Sequence, residues 1–289
     1  MLTTLARKIS ENRFVITAEL APPRGSDTSA FLRMAEFVAP YVDAINVTDN
    51  QGANMRMTPL TAAALLVREG IEPIMQVTCR DRNRLALQSD LLGAAAMGVH
   101  NLLALTGDDI GCGDHRQGRA VFDLDSVLLL RTIQALNSGE DMNGKALDGS
   151  TSFFVGAAAA PEVEPFAATR PKLAKKTAAG ARFFQTQAVF DPQRLTMFGS
   201  TVQPLGVKVI AGILVLKSAK MADFINRNIP GLKIPMAVVE RLACAADPAA
   251  EGVRIATELA VQCRDICDGI HLMAMGRDEV VPEIVSALN

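Results

Sequence analysis

Two carboxylic acids stand at the ends of predicted strands, where they could carry out acid–base chemistry. Glu19 shares one strand face with Val15 and Thr17, because side chains alternate between the two faces of a strand. The other face is more apolar and should meet helices, so Glu19 is predicted to point inward. Burying an unpaired carboxyl group usually raises its pKa, and a raised pKa is what a general acid near neutral pH requires. A salt bridge to a neighbouring strand is the alternative for Glu19.

The second carboxylate, Asp108, follows a strand predicted over residues 101–106. The same alternation assigns Ala104, Thr106 and Asp108 to the inward face. Gly107 has no side chain and would let a ligand approach the backbone closely. A helix-capping or loop aspartate is the alternative interpretation of Asp108.

Hydrogen-bonding side chains mark the ends of two further strands. Five of the six residues over 46–51 can form hydrogen bonds, which predicts a ligand-binding loop, with an ordinary polar turn as the alternative. Gln185 and Gln187 follow a Phe–Phe pair, and both cannot face solvent if their strand is internal. An amide offers donors and acceptors together, which suits recognition of a pterin or a similar heterocycle. Lys176, on the preceding helix, is by its residue type alone a solvated lysine.

These residues must be positioned by strands and helices that alternate along the chain with a short period. Such alternation indicates a parallel sheet. A glycine ends a helix just before a strand at Gly70, Gly98 and Gly180, where it supplies a left-handed turn. Eight units without a Gly-x-Gly-x-x-Gly loop favour the α/β fold of a closed (β/α)8 TIM barrel, with its active site at the C-terminal strand ends. The predicted strands are 14–20, 43–48, 71–78, 101–106, 152–158, 182–187, 207–214 and 269–275.

The composition excludes several classes of protein. The 289 residues show no linker, so a single barrel domain over residues 1–289 is predicted. The 29 basic and 31 acidic residues give no reason to expect nucleic acid as a partner. No apolar run approaches the roughly 20 residues that span a bilayer, and no signal peptide is evident, so no membrane partner is expected. The five cysteines fit a reducing compartment, and a cytoplasmic location is predicted.

No metal site and no nucleophilic triad are predicted. Cys263 and Cys267 would share a helix face, and Cys112 and His115 share a loop. Neither pair is accompanied by a second ligand pair with zinc-type spacing. The histidines are scattered, and the Gly-x-Ser-x-Gly elbow of serine hydrolases is missing from the sequence.

Taken together, the strand ends resemble those of the methylenetetrahydrofolate reductase family across nearly the whole chain. The most specific matches are the glutamate with its Pro–Pro pair, the Gly–Asp after the fourth strand and the Thr–Gln of the sixth. The segments CRDRNR and GIHLMAMGRDE are similar to a branch of the family found with anaerobic one-carbon metabolism. The matching segments are TAELAPPRG (17–25), VTDNQGA (47–53), QVTC (76–79), LTGD (105–108), APEVEP (160–165), GARFFQTQAVFD (180–191) and GIL (212–214).

The resemblance implies the reduction of 5,10-methylenetetrahydrofolate to 5-methyltetrahydrofolate, with FAD, or alternatively FMN, as the hydride carrier. It makes Glu19 the catalytic proton donor and Asp108 the carboxylate that contacts the pterin and tunes the flavin. It makes Gln187 an amide that contacts the folate, and it places Arg277 in the folate or flavin region. The positions that correspond to the family's flavin site are Thr48, Gln76, Thr106, Gly107, Asp108, Ala158, Ala160, Glu164 and Lys176.

Several positions depart from the family's pattern. Because the missing groups would grip the flavin or stack on the nicotinamide, we hypothesise a partner protein, rather than NADH or NADPH, as the electron donor. The chain would then work in a hetero-complex or as a homo-oligomer. The departures are Leu20 and Ala21 in place of an aromatic pair, Gln76 and Glu164 in place of histidines, Thr106 in place of an arginine, Ala160 in place of a tyrosine and Ala219 in place of an aromatic residue.

Two other functions fit the same residues. A flavin-free, pterin-dependent methyl-transfer barrel would keep Asp108 and Gln187 but would need no redox cofactor. A non-catalytic folate-binding subunit of a larger one-carbon complex would need no buried acid, so the presence of Glu19 weighs against it.

Overall fold

The computed structural model describes residues 3–161, 166–229 and 232–288. It contains a closed barrel of eight parallel strands, in which each strand pairs with the next and the last pairs with the first. This topology confirms the predicted (β/α)8 barrel. The strands are β1 (Val15–Leu20), β2 (Ala44–Val47), β3 (Pro73–Thr78), β4 (Asn101–Leu105), β5 (Phe154–Ala159), β6 (Phe183–Ala188), β7 (Lys208–Leu214) and β8 (Gly269–Met273).

Helices alternate with the strands. In the part of the chain that the structure describes they are α1 (Thr4–Ser10), α2 (Ser29–Val38), α3 (Pro59–Arg68), α4 (Arg84–Ala96), α5 (Ser126–Asn137), α6 (Phe166–Ala178), α7 (Pro192–Val202), α8 (Ala219–Asn228), α9 (Met236–Cys244), α10 (Pro248–Cys263) and α11 (Val281–Ser286). None of these described helices is both long and apolar enough to cross a membrane.

Local sequence signals fix where the helices begin and end. Asn83 and Asp125 accept hydrogen bonds from first-turn N–H groups of α4 and α5, which stabilises those helix starts. Gly70, Gly98 and Gly180 adopt φ angles of +74°, +81° and +109°, so the predicted left-handed helix ends are confirmed. The chain can therefore turn directly from a helix into the next strand.

Apolar side chains fill the N-terminal half of the barrel interior. The rings of Phe154 and Phe183 stack with centroids 5.6 Å apart. A side-chain carbon at Gly156 would lie 2.4 Å from the Phe183 ring, so only glycine fits at position 156 beside this ring. Helix α1, which was not predicted from the sequence, adds Leu5 and Ile9 to this cluster. The strand residues of the cluster are Val15, Ala44, Ile74, Leu103, Phe183 and Ile210.

The side chains of β4 point in directions opposite to those predicted. Leu103 belongs to the interior cluster and Leu105 packs against it, whereas Ala104 belongs to the outer core between the strands and the helices. The predicted inward face of this strand is therefore wrong. The strand ends at Leu105, and Gly107 at φ +99° breaks the alternation that assigned Asp108 a direction.

Candidate active site

Glu19 lies at the C-terminal end of β1 with 9% of its side chain exposed. Its Oε1 accepts a hydrogen bond from Nε2 of Gln51 at 3.0 Å. Its Oε2 lies 3.7 Å from Nε2 of His271, on the neighbouring strand β8. These contacts agree with the predicted inward direction of Glu19. They also identify His271, on the neighbouring strand, as the partner in the alternative interpretation of Glu19 as a salt-bridge residue.

Buried polar side chains beside His271 form a network inside the barrel. Nδ1 of His271 lies 2.9 Å from the Thr17 hydroxyl and 3.4 Å from Nδ2 of Asn46. Nε2 of Gln76 donates to Oδ1 of Asn46 at 3.4 Å, which turns the Asn46 NH₂ group toward His271. Both ring nitrogens of His271 thus face polar groups, with Nδ1 toward Thr17 and Asn46 and Nε2 toward the Glu19 carboxyl group. Gln76, predicted at a flavin position, thus takes part in this internal network.

Asp108 joins two loops at the mouth of the barrel. Its Oδ2 accepts a hydrogen bond from the backbone N–H of Gly52 at 3.0 Å, although the residue is exposed. The same two loops are also in contact at Gly113. A side-chain carbon at this glycine would lie 1.8 Å from the Ala53 carbonyl oxygen. The loops after β2 and β4 therefore form one continuous wall of the mouth, with the Asp108 carboxylate on its surface.

Charged groups after β2 and β3 are buried in contacts that support this wall. Asp49 pairs with Arg82 and accepts hydrogen bonds from the backbone N–H and hydroxyl of Thr78 at 2.8 and 2.9 Å. Burial raises the pKa of Asp49, and the Arg82 cation opposes that effect. A side-chain carbon at Gly107 would lie 3.0 Å from Cβ of Arg80, so the loop after β4 lies directly against the end of β3. Asp49 thus supports the predicted ligand-binding loop.

A cavity of about 320 Å³ lies between the ends of β5 and β6 and helix α6. Nζ of Lys176 donates to the Ala158 carbonyl at 2.6 Å. Burial, assisted by the nearby Lys172 cation, lowers the pKa of Lys176 to about 8. The interpretation of Lys176 as a solvated lysine is therefore wrong. Glu164, predicted at a flavin position, lies outside the described residues. The cavity is lined by the predicted residues Ala158, Ala160, Lys176 and Gln187, and by Ala159, Thr169, Lys172, Leu173 and Phe198.

The end of β6 contains a bulge. The pairing with β7 shifts between Gln185 and Ala188, so β6 accommodates one extra residue. The Thr186 hydroxyl donates to the Gln187 carbonyl at 2.7 Å and accepts from the Gly212 N–H at 2.9 Å. Gln187 is exposed and lines the cavity, whereas Gln185 is buried. The two glutamines that the sequence singled out thus have different surroundings.

Asp278 is a mouth residue that was not predicted from the sequence. It begins a 3-10 turn after β8 and is partly buried. Burial raises its pKa to about 6, with smaller contributions from the charges of Glu279 and Glu19 and an opposing one from Lys217. A carboxyl group with a raised pKa therefore lies near Glu19. The segment GIHLMAMGRDE contains Asp278, but its residue types do not show that this turn lies close to Glu19 at the end of β1.

The other predicted positions are spread around the mouth. Thr48 is fully buried after β2, and its hydroxyl has no hydrogen-bond partner among the described residues. The Thr106 hydroxyl accepts from the Ser126 N–H at the start of α5, at 3.3 Å. Arg277 donates to the carbonyl of Ala249 in α10 at 2.9 Å. The structure therefore brings Glu19 and Asp108 to one mouth, while it engages Thr106 and Arg277 with surrounding helices.

Comparison with known proteins identifies the family of the chain. The sequence model described as "Methylenetetrahydrofolate reductase" matches residues 4–289. The chain belongs to the methylenetetrahydrofolate reductase family. A relative from Caenorhabditis elegans named "Probable methylenetetrahydrofolate reductase (NADPH)" is 26% identical over 303 residues. That match covers 98% of this chain but 43% of the relative, so this member of the family spans less than half the length of the relative it matches.

Two solved structures with a similar fold are distant in sequence from this methylenetetrahydrofolate reductase family member. Tryptophan synthase from M. tuberculosis matches with a TM-score of 0.56 and 12% identity, covering 99% of this chain and 98% of that one. DmoA from Hyphomicrobium sulfonivorans matches with a TM-score of 0.59 and 8% identity, covering 95% and 86%. At such identities these likenesses show the barrel fold alone.

Proposed function

We propose that the chain reduces 5,10-methylenetetrahydrofolate to 5-methyltetrahydrofolate, with a flavin as hydride carrier and Glu19 as general acid. The observation that carries the proposal is the position of Glu19, a nearly buried carboxyl group held by Gln51 and facing His271. A carboxyl group in such a position is largely shielded from bulk water and can transfer a proton directly to a bound substrate. Family membership over residues 4–289 supports the choice of substrate class.

The donor groups at the mouth fit a flavin. Lys172 and Lys176 line the 320 Å³ cavity and suit the phosphate of FAD, or of FMN as the alternative. A bound phosphate would favour the charged form of Lys176, whose pKa burial lowers to about 8. The unpartnered Thr48 hydroxyl would serve the rest of the cofactor. When bound, the flavin supplies the hydride.

The chain's own residues handle the proton and the orientation of the substrate. Glu19 donates its proton to a folate nitrogen, which opens the methylene-bridged ring to an iminium that can accept hydride. His271, whose Nε2 lies 3.7 Å from Oε2 of Glu19, then stabilises the carboxylate left on Glu19. Asp108 and Gln187, which are both exposed at the mouth, hydrogen-bond the pterin ring. The folate-region role of Arg277 stays a prediction.

The proposed electron donor is a partner protein. Ala219 begins α8, and its methyl group offers no aromatic surface on which a nicotinamide could stack. The name of the C. elegans relative specifies NADPH, so stopped-flow mixing of the isolated flavoprotein with NADH and with NADPH is the relevant test. Rapid reduction of the flavin by either nucleotide would contradict a protein donor.

The substitution Glu19→Gln tests the general acid because it keeps the shape of the side chain and removes the proton. Single-turnover reduction of methylenetetrahydrofolate by the pre-reduced enzyme should slow by roughly 10²–10⁴-fold. Flavin content and flavin reduction by dithionite should stay unchanged. Glu279→Gln is the matched control, since the Glu279 side chain is 58% exposed near the same mouth. Equal loss of both reactions in Glu19→Gln would make Glu19 a structural residue.

A further inference from the structure

Gln185 is a buried amide that has no role in the reaction as described so far. The residue is 6% exposed, and its Oε1 has no hydrogen-bond partner within the described part of the chain. An amide oxygen buried without a partner destabilises the folded protein. A ligand that donates a hydrogen bond to this oxygen would remove that penalty, so the unpaired atom indicates a binding contact.

Gln185 faces the barrel interior above the apolar cluster. Phe183 belongs to that interior cluster and Phe184 to the outer core, so alternation along β6 turns Gln185 inward. Its register partners are Ala158 on β5 and Ile210 on β7. Ala158 lines the 320 Å³ cavity. The amide therefore lies inside the barrel next to a strand residue that lines the cavity, at the level where the interior changes from apolar to polar.

The residue level with the amide on β5 is small, and so is the next inward residue on β7 beyond Ile210. Ala158 contributes only a methyl group, and the next inward position on β7 is Gly212. A side-chain carbon at Gly212 would lie 2.7 Å from the Thr186 carbonyl oxygen, so the bulge of β6 keeps this position free of a side chain. No β7 side chain therefore projects inward at the level just above the amide. Gln187, two residues further along β6, lines the same cavity.

We propose that Gln185 determines specificity by binding the lactam edge of the substrate's pterin ring. The inference rests on the proposed function and names a contact beyond Gln187. The lactam edge of a 2-amino-4-oxopterin presents an N–H donor beside a carbonyl acceptor. An amide presents an acceptor beside a donor, and the two patterns are complementary. Sites that pair a buried polar group with a ligand reject ligands that lack the partner atom.

The substitution Gln185→Met tests the contact because it keeps the length of the side chain and removes both hydrogen-bonding atoms. The Kd for 5-methyltetrahydrofolate, measured by anaerobic calorimetry on the flavin-loaded protein, should rise by roughly 10-fold to 100-fold. The same factor should appear with 6-methyltetrahydropterin, which has the ring but no glutamate tail. Flavin content should be unchanged, and Tm should not fall, since an unpaired buried oxygen has been removed. Gln185→Leu provides a second apolar variant.

Gln203→Met is the matched control, because Gln203 is an exposed glutamine at the opposite end of the barrel. It should leave both Kd values unchanged. Equal affinities in wild type and in Gln185→Met would overturn the inference and leave Gln185 a packing residue. A loss of affinity for the folate but not for the pterin would also overturn it. If the wild-type protein binds neither ligand, the proposed function fails and this inference fails with it.

Discussion

The two ends of the barrel differ in how their polar groups are partnered. The larger cavity, about 490 Å³, lies at the N-terminal ends of β7 and β8, and the cavity of about 320 Å³ lies at the C-terminal mouth. At the larger cavity Lys208 pairs with Asp268 at 2.8 Å, and Asp268 also accepts the Val209 N–H at 2.9 Å. The charges there stabilise the connection into β8 and leave little for a ligand to bind.

The mouth contains the opposite pattern. The Thr48 hydroxyl, Oε1 of Gln185 and Nε2 of His271 are buried without a hydrogen-bond partner among the described residues. Lys176 keeps a buried amine whose pKa is lowered to about 8. Such groups reduce stability and are found where ligands bind. In this barrel the unpartnered buried polar atoms and the larger cavity thus point to opposite ends, and the proposed site lies at the end with the unpartnered atoms.

The largest expected effect on stability comes from the apolar half of the interior. Phe183→Ala removes a fully buried ring and leaves a cavity, so the free energy of unfolding should fall by about 3–5 kcal/mol. Urea unfolding followed by circular dichroism measures this change. The control is Phe224→Ala on α8, where the side chain is 61% exposed and the change should stay within about 0.5 kcal/mol. Similar losses in both variants would contradict the claim that the apolar half of the barrel interior is the main source of stability.

At the mouth, a substitution is expected to increase stability. The pKa of Lys176 is about 8 in the folded chain and 10.5 in its ordinary state, so at pH 7 the folded protein bears the cost of a buried charge. Lys176→Met should therefore raise the free energy of unfolding of the flavin-free protein at pH 7 by on the order of 1–3 kcal/mol. The same variant should retain flavin less well on gel filtration.

The pH dependence of this effect has a definite sign. Between about pH 8 and 10.5 the folded lysine is neutral while the unfolded lysine still binds a proton. The wild type gains stability with rising pH in this window, so the advantage of Lys176→Met should shrink. Urea unfolding of both proteins at pH 7 and pH 10 checks this. An advantage that grows with pH would contradict the assigned burial cost.

The smallest effect is expected at the N-terminal end. Lys208 and Asp268 are about one-third exposed, with side-chain exposures of 30% and 34%. Removing this pair with Lys208→Met should lower the free energy of unfolding by less than about 1 kcal/mol. Flavin content and folate affinity should not change. A loss of folate affinity in this variant would contradict the assignment of ligand binding to the mouth rather than to the N-terminal end.

The sequence predicted the scaffold well because the scaffold depends on local patterns. All eight strands, the glycine turns at Gly70, Gly98 and Gly180, and the inward direction of Glu19 follow from alternation and from turn chemistry. The direction of β4 was wrong because alternation was continued through Gly107, beyond the end of the strand. Periodicity specifies directions only while the backbone stays regular.

The surroundings of the predicted residues could not be read from the sequence. The sequence places His271 only within the predicted strand 269–275, because its contact with Glu19 depends on the closure of β8 against β1. The bulge that separates the surroundings of Gln185 and Gln187 depends on pairing with β7, which no local pattern encodes. Burial of Lys176 likewise results from how α6 lies on β5. Contacts between distant segments require the folded chain.

The most direct test of the proposed function is the visible absorption spectrum of the freshly purified protein during anaerobic addition of 5-methyltetrahydrofolate. The proposed function predicts a flavin spectrum that bleaches, because the reverse reaction transfers hydride from the methyl group to the flavin. A bound flavin that stays oxidised, or a colourless protein that also rejects added flavin, would contradict it.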